Sequence, residues 1–371
     1  SISFMAAHLP GVSEALEAAL AKSRREIASL ARHHGYMPLG LPALRTALAR
    51  HLTARGLPTK EEQILVTNGA QQGIGLVASL LLSPGDEVAV EDPTYPGALD
   101  LFAQARARFL PLPPAGEASA VEKIAAALAR PRMRLLYVLP TFHNPTGSVM
   151  PERARREIAR LAEQSGAAVL EDHTLSDLSL GAATPPPIAS FARRAPVLTV
   201  GSLSKLYWGG LRIGWIRGPE PLIHRLARRK AMEDLGSSVI SQAVAVRLLE
   251  SADEIAKLRR AQAGERLEAL TRGLAKRLPD WKWKRPAGGL TLWVALPRGS
   301  ASEFAHVAAR NGVAVLPGPV CSPTNGFGDH LRLAFVPEPS EIREGVERMA
   351  RAWEKYGVAR ESARARVGVI V

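Results

Sequence analysis

The sequence predicts an α/β chain: a large unit built on a mostly parallel sheet covered by helices on both faces, followed by a smaller α+β unit. Three observations carry this. The chain has 371 residues, too many for one small core. From Gln63 to Gly201 short apolar runs alternate with helical patterns, which is the signature of parallel strands joined by crossover helices. After Pro279 the alternation gives way to paired strands and isolated helices. The expected division is a large unit over 37–246, with 1–36 and 247–371 forming an N-terminal arm plus the small unit.

Taken in order, apolar residues recur at helical spacing from Ser13 to His34. The pattern breaks at GYMPLGLP and resumes with ALRTALARHL. QILVTNG reads as a buried strand running into a helix from Ala70 to Leu82, and DEVAVEDPTYPG as a strand ending in a turn. RLLYVLP, AAVLED and PVLTVG are further apolar strands, with the helical PERARREIARLAEQSG between the first two. Long helical stretches follow Pro219. WKWKRPAGGLTLWVAL then predicts two antiparallel strands, EFAHVAARNG a helix, VAVLPG and HLRLAFV strands, and SEIREGVERMARAWEKYG a closing helix. The short TPPP at 184–187 is the one proline-rich stretch.

Apolar residues make up 46% and charged residues 22%, a globular balance rather than a disordered one. Cys321 is the single cysteine, which rules out an intrachain disulfide or a cysteine zinc site and fits a reducing compartment such as the cytoplasm. The opening SISFMAAHLPGVSEALEAAL lacks the order of a signal peptide, and no apolar run has the length of a membrane span. The formal charge of +13 raises the question of nucleic acid, but Arg and Lys are interspersed with Glu along helices such as ERARREIARLAEQ, and no nucleic-acid motif accompanies them. The basic tail VARESARARVGVIV reads either as a mobile arm or as a segment packed on a partner subunit.

In a parallel sheet, ligands bind beyond the carboxyl ends of the strands, so the polar tips are the place to look for chemistry. In GSLSKLYWGGLRIGW, Lys205 could be a surface charge, a phosphate ligand or a nucleophile. Ser202, Ser204 and Arg212 offer phosphate donors beside it, so Lys205 need not serve that purpose. Gly69, Ala70 and Gln71, where a strand meets a helix, offer a second phosphate cradle or an ordinary turn. Asp172 ends an apolar strand, where a buried carboxylate needs a cation, either a protonated pyridine nitrogen or an arginine. Asn144 in HNPTG offers an amide to a ring hydroxyl, and Tyr95 in DPTYPG a face for stacking. Together a lysine nucleophile, a carboxylate for a pyridinium, a phosphate cradle and an aromatic lid describe a pyridoxal 5′-phosphate site.

The order TNGAQQ, DPTYPG, HNPTG, ED and SLSKLYWGGLRIGW resembles the fold type I, class I/II aminotransferase family over nearly the whole chain. The resemblance implies a Lys205 Schiff base that also carries protons, Asp172 on the pyridine nitrogen, Asn144 on the ring oxygen and Tyr95 on the ring face. It places Ser202, Arg212, Gly69 and Ala70 on the phosphate, with Ser204 and Gln71 contributing. Tyr36 in GYMPLG matches the tyrosine that reaches a neighbouring subunit's phosphate, implying a homodimer with shared sites; otherwise it is a packing tyrosine at a helix end. Arg332 in HLRLAF matches the arginine for the substrate carboxylate, its alternative being a buried salt bridge.

The stretches GLPALRTALARHLTARG, ILVTNGAQQG, AVEDPTYPGAL and VGSLSK resemble more narrowly the aminotransferase-like domain of MocR-type regulators in the GntR family. The winged-helix domain of those regulators is expected to be absent here. Two departures stand out: His173, Thr174 and Leu175 occupy the places where the family commonly has a tyrosine after the aspartate, and Gly209, preceded by Trp208, replaces a proline. The expected activity is transfer of an amino group between an amino acid and a 2-oxo acid. The alternatives are an effector-sensing regulatory domain or another enzyme using the same cofactor. His143, Trp208 and His173 are candidate walls of the substrate pocket.

Overall fold

The computed structural model describes residues 1–114, 120–181 and 183–367, with side chains to Gly357. The elements in chain order are β1 (Ile2–Ser3), α1 (Ser13–Leu30), α2 (Pro42–Ala54), β2 (Ile64–Thr67), α3 (Ala70–Leu81), β3 (Glu87–Glu91), α4 (Pro96–Gln104), β4 (Arg108–Leu112), α5 (Ala120–Leu128), β5 (Met133–Val138), α6 (Glu152–Ser165), β6 (Ala168–Asp172), β7 (Val197–Ser202) and β8 (Gly214–Arg217). They continue with α7 (Glu220–Asp234), α8 (Val239–Leu249), α9 (Ala252–Arg277), β9 (Lys282–Trp283), β10 (Thr291–Ala295), α10 (Ala301–Arg310), β11 (Val313–Ala314), β12 (Leu316–Pro317), β13 (His330–Ala334) and α11 (Pro339–Val367). The α/β architecture with a mostly parallel sheet is the one the sequence predicts. The closing helix runs further than its pattern suggested, because Ala, Arg and Glu beyond Gly357 are good helix formers. The side chains of the basic tail lie outside the described residues.

The large sheet has the strand order β2-β8-β7-β6-β5-β3-β4. Its central strands are buried on both faces, which explains their unbroken apolar runs. α6 shows the complementary logic: Ala154, Ile158, Leu161 and Ala162 recur on one buried stripe, while Arg156 and Arg160 pair with Glu152 and Glu157 on the outer face.

Only β8 runs against its neighbours. It pairs antiparallel with both β7 and β2, so that Ser202 and Thr67 each lie opposite Gly214. The loop between β7 and β8 therefore leaves and re-enters the sheet at one edge. Gly214 is required at that crossing, since a Cβ there would stand 2.6 Å from the Gly69 carbonyl carbon and 2.8 Å from the Gly201 oxygen.

The small sheet is antiparallel, ordered β12-β13-β10-β9. Its core holds Trp281, Phe304 and Phe335, and Phe4 and Leu9 from the N-terminal segment join it. α1 packs elsewhere. It lies on the large-sheet core, where Ser23 Oγ donates to the Ala243 carbonyl at 3.2 Å. Residues 1–36 thus divide their packing between both cores. Phe142, Leu175 and Leu178, from loops of the large sheet, also sit in the small core, so the strand tips are walled by both units.

The loop after β6 is pinned to α2 by Asp177, which lies 2.6 Å from Arg55 Nε and 3.6 Å from His51 Nε2. Burial pushes this carboxyl up, but His51 and Arg55 together hold it down at about 2, against an ordinary 3.8. A depressed carboxyl contributes stability that is present above the ordinary value and lost as pH falls through the folded one. At roughly 1.4 kcal/mol per pH unit the interaction is worth about 2–3 kcal/mol. We expect Asp177→Asn to lose about that much at neutral pH, and urea titrations to show the variant's deficit vanishing between pH 4 and 2. A deficit that persists unchanged at pH 2 would contradict the assignment.

Candidate active site

The strand tips enclose a cleft of about 570 Å³, which is lined by Gly69, Ala70, Gln71, Tyr95, Asn144, Asp172, Ser202, Ser204, Lys205, Arg212 and Arg332. One end is an anion cradle. Gly69, at φ +87°, turns the chain from β2 into α3, whose first-turn N–H groups have no partner within the helix. Arg212, in the left-handed region at φ +54°, folds back so that Nη2 donates to the Asn68 carbonyl at 2.6 Å. A Cβ at Gly69 would lie 3.0 Å from that Nη2, so glycine leaves room for the guanidinium. Ser202 Oγ accepts from the Ser204 amide at 3.1 Å and donates to Ser204 Oγ at 2.9 Å. Helix terminus, hydroxyls and guanidinium form the donor set that a phosphate dianion requires.

The cradle has a buttress. Asp234, at the end of α7, accepts from Asn68 Nδ2 at 2.8 Å, Gln72 Nε2 at 2.7 Å and Lys230 Nζ at 2.6 Å. The Gln71 side chain is also engaged, donating to the Gly97 carbonyl at 2.8 Å and accepting from Tyr95 Oη at 3.1 Å. Its contribution to the cradle is thereby left to its backbone, while its side chain orients the Tyr95 ring.

At the floor, Asp172 is only 4% exposed. Its carboxylate accepts from Tyr137 Oη at 2.8 Å and from the Thr174 amide at 2.8 Å. Burial and the Asp172 charge hold the Tyr137 phenol well above its ordinary value, which keeps it a donor. Among the described residues no Lys, Arg or His lies within ion-pair distance of Asp172. The arginine alternative is therefore set aside, and a buried carboxylate facing a cleft is left to receive a cationic group from a ligand.

The opposite wall carries Arg332, on β13, facing Trp293 and Leu316 in the ladder. Its Nη1 donates to Asn144 Oδ1 at 3.3 Å, its Nη2 donates to the Met5 carbonyl, and its buried Nε has no hydrogen-bond partner. No carboxylate among the described residues meets it, so the salt-bridge alternative is also set aside. An incompletely satisfied buried guanidinium is poised for an incoming carboxylate.

Between these groups, Lys205 Nζ donates to the Ala7 carbonyl at 2.8 Å. Burial lowers the pKa of this amine, the Arg332 charge lowers it further, and Asp172 opposes both. The neutral, nucleophilic form thus becomes accessible at lower pH than for an ordinary lysine. In the cofactor-free protein, pH-dependent labelling with an amine-directed reagent should show a midpoint for Lys205 below 10.5, and Arg332→Met should move that midpoint upward. A midpoint that does not respond to Arg332→Met would show that the two cations do not sense each other.

Other expectations need adjustment. His143 is buried away from the cleft, with Nδ1 2.9 Å from Thr146 Oγ1 and Nε2 3.5 Å from Glu91. His173 faces Glu171 at 3.1 Å on the far side of the sheet, since adjacent strand residues alternate faces. Of the three candidate pocket walls, Trp208 alone lines the cleft. Tyr36 is 61% exposed, stacks on His34 and does not line its own chain's cleft. No motif marks Met5 to His8, which line one side of the cleft, or Thr141 and Leu290, whereas Thr174 and Leu175, which also line it, lie where the family commonly has its tyrosine.

Cradle, unpaired carboxylate, amine and guanidinium fit pyridoxal 5′-phosphate, and with the α/β fold they define a transferase of fold type I that uses this cofactor. The chain belongs to the family described as aminotransferase class I and II, whose profile matches residues 5–349. It is 32% identical over 351 residues to a 2-aminoadipate transaminase of Thermus thermophilus, covering 91% of this chain and 85% of that protein. It is 34% identical over 289 residues to an uncharacterized HTH-type transcriptional regulator, YisV, of Bacillus subtilis, of which it spans 60%. The crystal structure of an α-aminoadipate aminotransferase from Thermus thermophilus, complexed with N-(5′-phosphopyridoxyl)-L-leucine, superposes with a TM-score of 0.87 at 30% identity, covering 95% of this chain and 92% of that one. The relatives thus include both aminotransferases and HTH-type transcriptional regulators, in keeping with the sequence resemblance.

Proposed function

We propose that this chain catalyses transamination between an amino acid and a 2-oxo acid, with Lys205 and Asp172 as its catalytic residues. The single observation that supports this best is the buried Asp172 carboxylate, which among the described residues has neutral donors but no cation and faces the same cleft as Lys205 and Arg332. When bound, pyridoxal 5′-phosphate supplies a carbonyl that can exchange an amino group and a ring that takes up electrons. Ser202, Ser204, Arg212, Gly69, Ala70 and the Gln71 backbone hold its phosphate. Asp172 keeps the ring nitrogen protonated, Asn144 meets the ring oxygen and Tyr95 covers the ring face. Lys205 would hold the group covalently and would carry the proton removed from the substrate Cα. Arg332 and Asn144 orient the substrate carboxylate.

The same reading makes the protein a homodimer, with Tyr36 reaching the neighbouring cleft, and places it in the cytoplasm. The exposed position of Tyr36 supports the first, and the single cysteine the second. Among the described residues no helix is long and apolar enough to cross a membrane. A second reading, an effector-sensing domain that binds amino acids without turnover, draws on the similarity to the regulator, of which this chain spans 60%.

Mixing the cofactor-loaded protein with a panel of amino donors and with pyruvate or 2-oxoglutarate distinguishes the two. Transamination yields oxo acid in step with amino-acid product, and the original cofactor spectrum returns. Spectral shifts with many amino acids but no oxo acid from any would favour the sensor. Light scattering at low concentration should give a dimer, and a stable monomer that retains cofactor would contradict the role of Tyr36.

A further inference from the structure

The cations that line the cleft are all engaged by the reading above: Arg212 at the phosphate cradle, Lys205 at the centre and Arg332 at the substrate carboxylate. Among the described residues no further Lys or Arg lines it, and the remaining basic group is His8 at the mouth. Within one subunit, a donor with a second carboxylate meets no further arginine or lysine among the described residues, and burying such a charge unpaired is costly.

Beside these groups the cleft presents apolar side chains. Leu175 and Leu290 are buried, while Met5 and Trp208 are 41% and 44% exposed. Trp208 owes its position to two glycines. A Cβ at Gly210 would stand 2.3 Å from its indole Cζ2, and one at Gly11 would stand 3.3 Å from Cδ1. The indole therefore sits close to both backbones, where a side chain at Gly210 would displace it and one at Gly11 would crowd it, and it keeps much of its surface open. Large apolar surface held open on a rigid support gains most from being covered by an apolar group of matching size.

We propose that Trp208, seated on Gly210 and Gly11, is a specificity plate for the donor side chain, and that the cleft selects aromatic or large aliphatic amino acids over acidic ones. This rests on the transaminase reading and adds the substrate class to it. Leu175 and Leu290 complete the apolar wall.

The test uses the cofactor-loaded protein and two measurements. Calorimetry compares 3-phenylpropanoate and 4-methylpentanoate, unreactive acids with apolar tails, with glutarate. We expect the apolar acids to bind at least about tenfold more tightly, the discrimination typical of apolar pockets. Single-turnover rates then compare phenylalanine and leucine with alanine and glutamate. In Trp208→Ala the ratio of the phenylalanine rate to the alanine rate should fall about tenfold, and Gly210→Ala, which displaces the indole without removing it, should lower the same ratio. Cofactor absorbance verifies that each variant is assembled, and Trp208→Phe, which keeps an aromatic face, should restore part of the ratio. Tighter binding of glutarate, or a phenylalanine-to-alanine ratio unmoved by Trp208→Ala, overturns the proposal. If no donor is turned over while the apolar acids still bind through Trp208, the transaminase reading fails and the plate stands as a ligand-selecting surface.

Discussion

Replacing Lys205 with alanine should lower turnover on the order of 10⁴-fold, the upper range for loss of a positioned acid–base group. The cradle built from Gly69, Ser202, Ser204 and Arg212 does not depend on Lys205, so the variant should still bind cofactor. The measurement is the rate of exchange of the substrate Cα proton with deuterium oxide, followed with the cofactor-loaded variant. Exchange at more than a tenth of the original rate would mean that another group moves the proton, and Lys205 would be left with attachment alone. Borohydride reduction of the unaltered protein followed by peptide mapping should mark Lys205 and no other lysine.

The second large effect is expected at Asp172. Asp172→Asn keeps the size of the side chain and can still accept from the Thr174 amide, but it removes the charge that would keep a ring nitrogen protonated. A fall in kcat on the order of 10²–10³-fold is expected, the usual consequence of deleting one preorganised electrostatic partner. Tyr137→Phe provides a graded comparison. It leaves the carboxylate in place and removes one neutral donor at 2.8 Å, so its effect should be at most about tenfold. If Asp172→Asn and Tyr137→Phe were equally mild, the carboxylate would be a structural acceptor rather than the partner of a cationic ring.

Much of the candidate site was legible because each motif is local. TNGAQQ carries a turn glycine and a helix N-terminus within a few residues, and SLSKLYWGGLR carries hydroxyls, an amine and a guanidinium on one loop. Such arrangements depend on short-range backbone geometry, which residue types specify directly. The facing of His173 could also have been read from the alternation of strand side chains, since Asp172 beside it points the other way.

Other features have no local signature. Asp234 braces Asn68 across 166 residues of sequence, and Tyr137 meets Asp172 only because β5 and β6 are neighbours in the sheet. The reversed β8 brings Gly214 between Thr67 and Ser202, which joins two distant phosphate motifs into one cradle. The carbonyls of Met5 and Ala7 reach Arg332 and Lys205 because Phe4 and Leu9 are buried in the small core, and a backbone acceptor carries no residue code at all. By itself the sequence determined the α/β class, the cofactor and the candidate side chains for its site, since periodicity and local donor geometry are written in residue order. Only the tertiary structure decided which of those side chains face the cleft, which lack a charge partner and what closes over them, because strand pairing and burial bring together residues that are far apart in the chain.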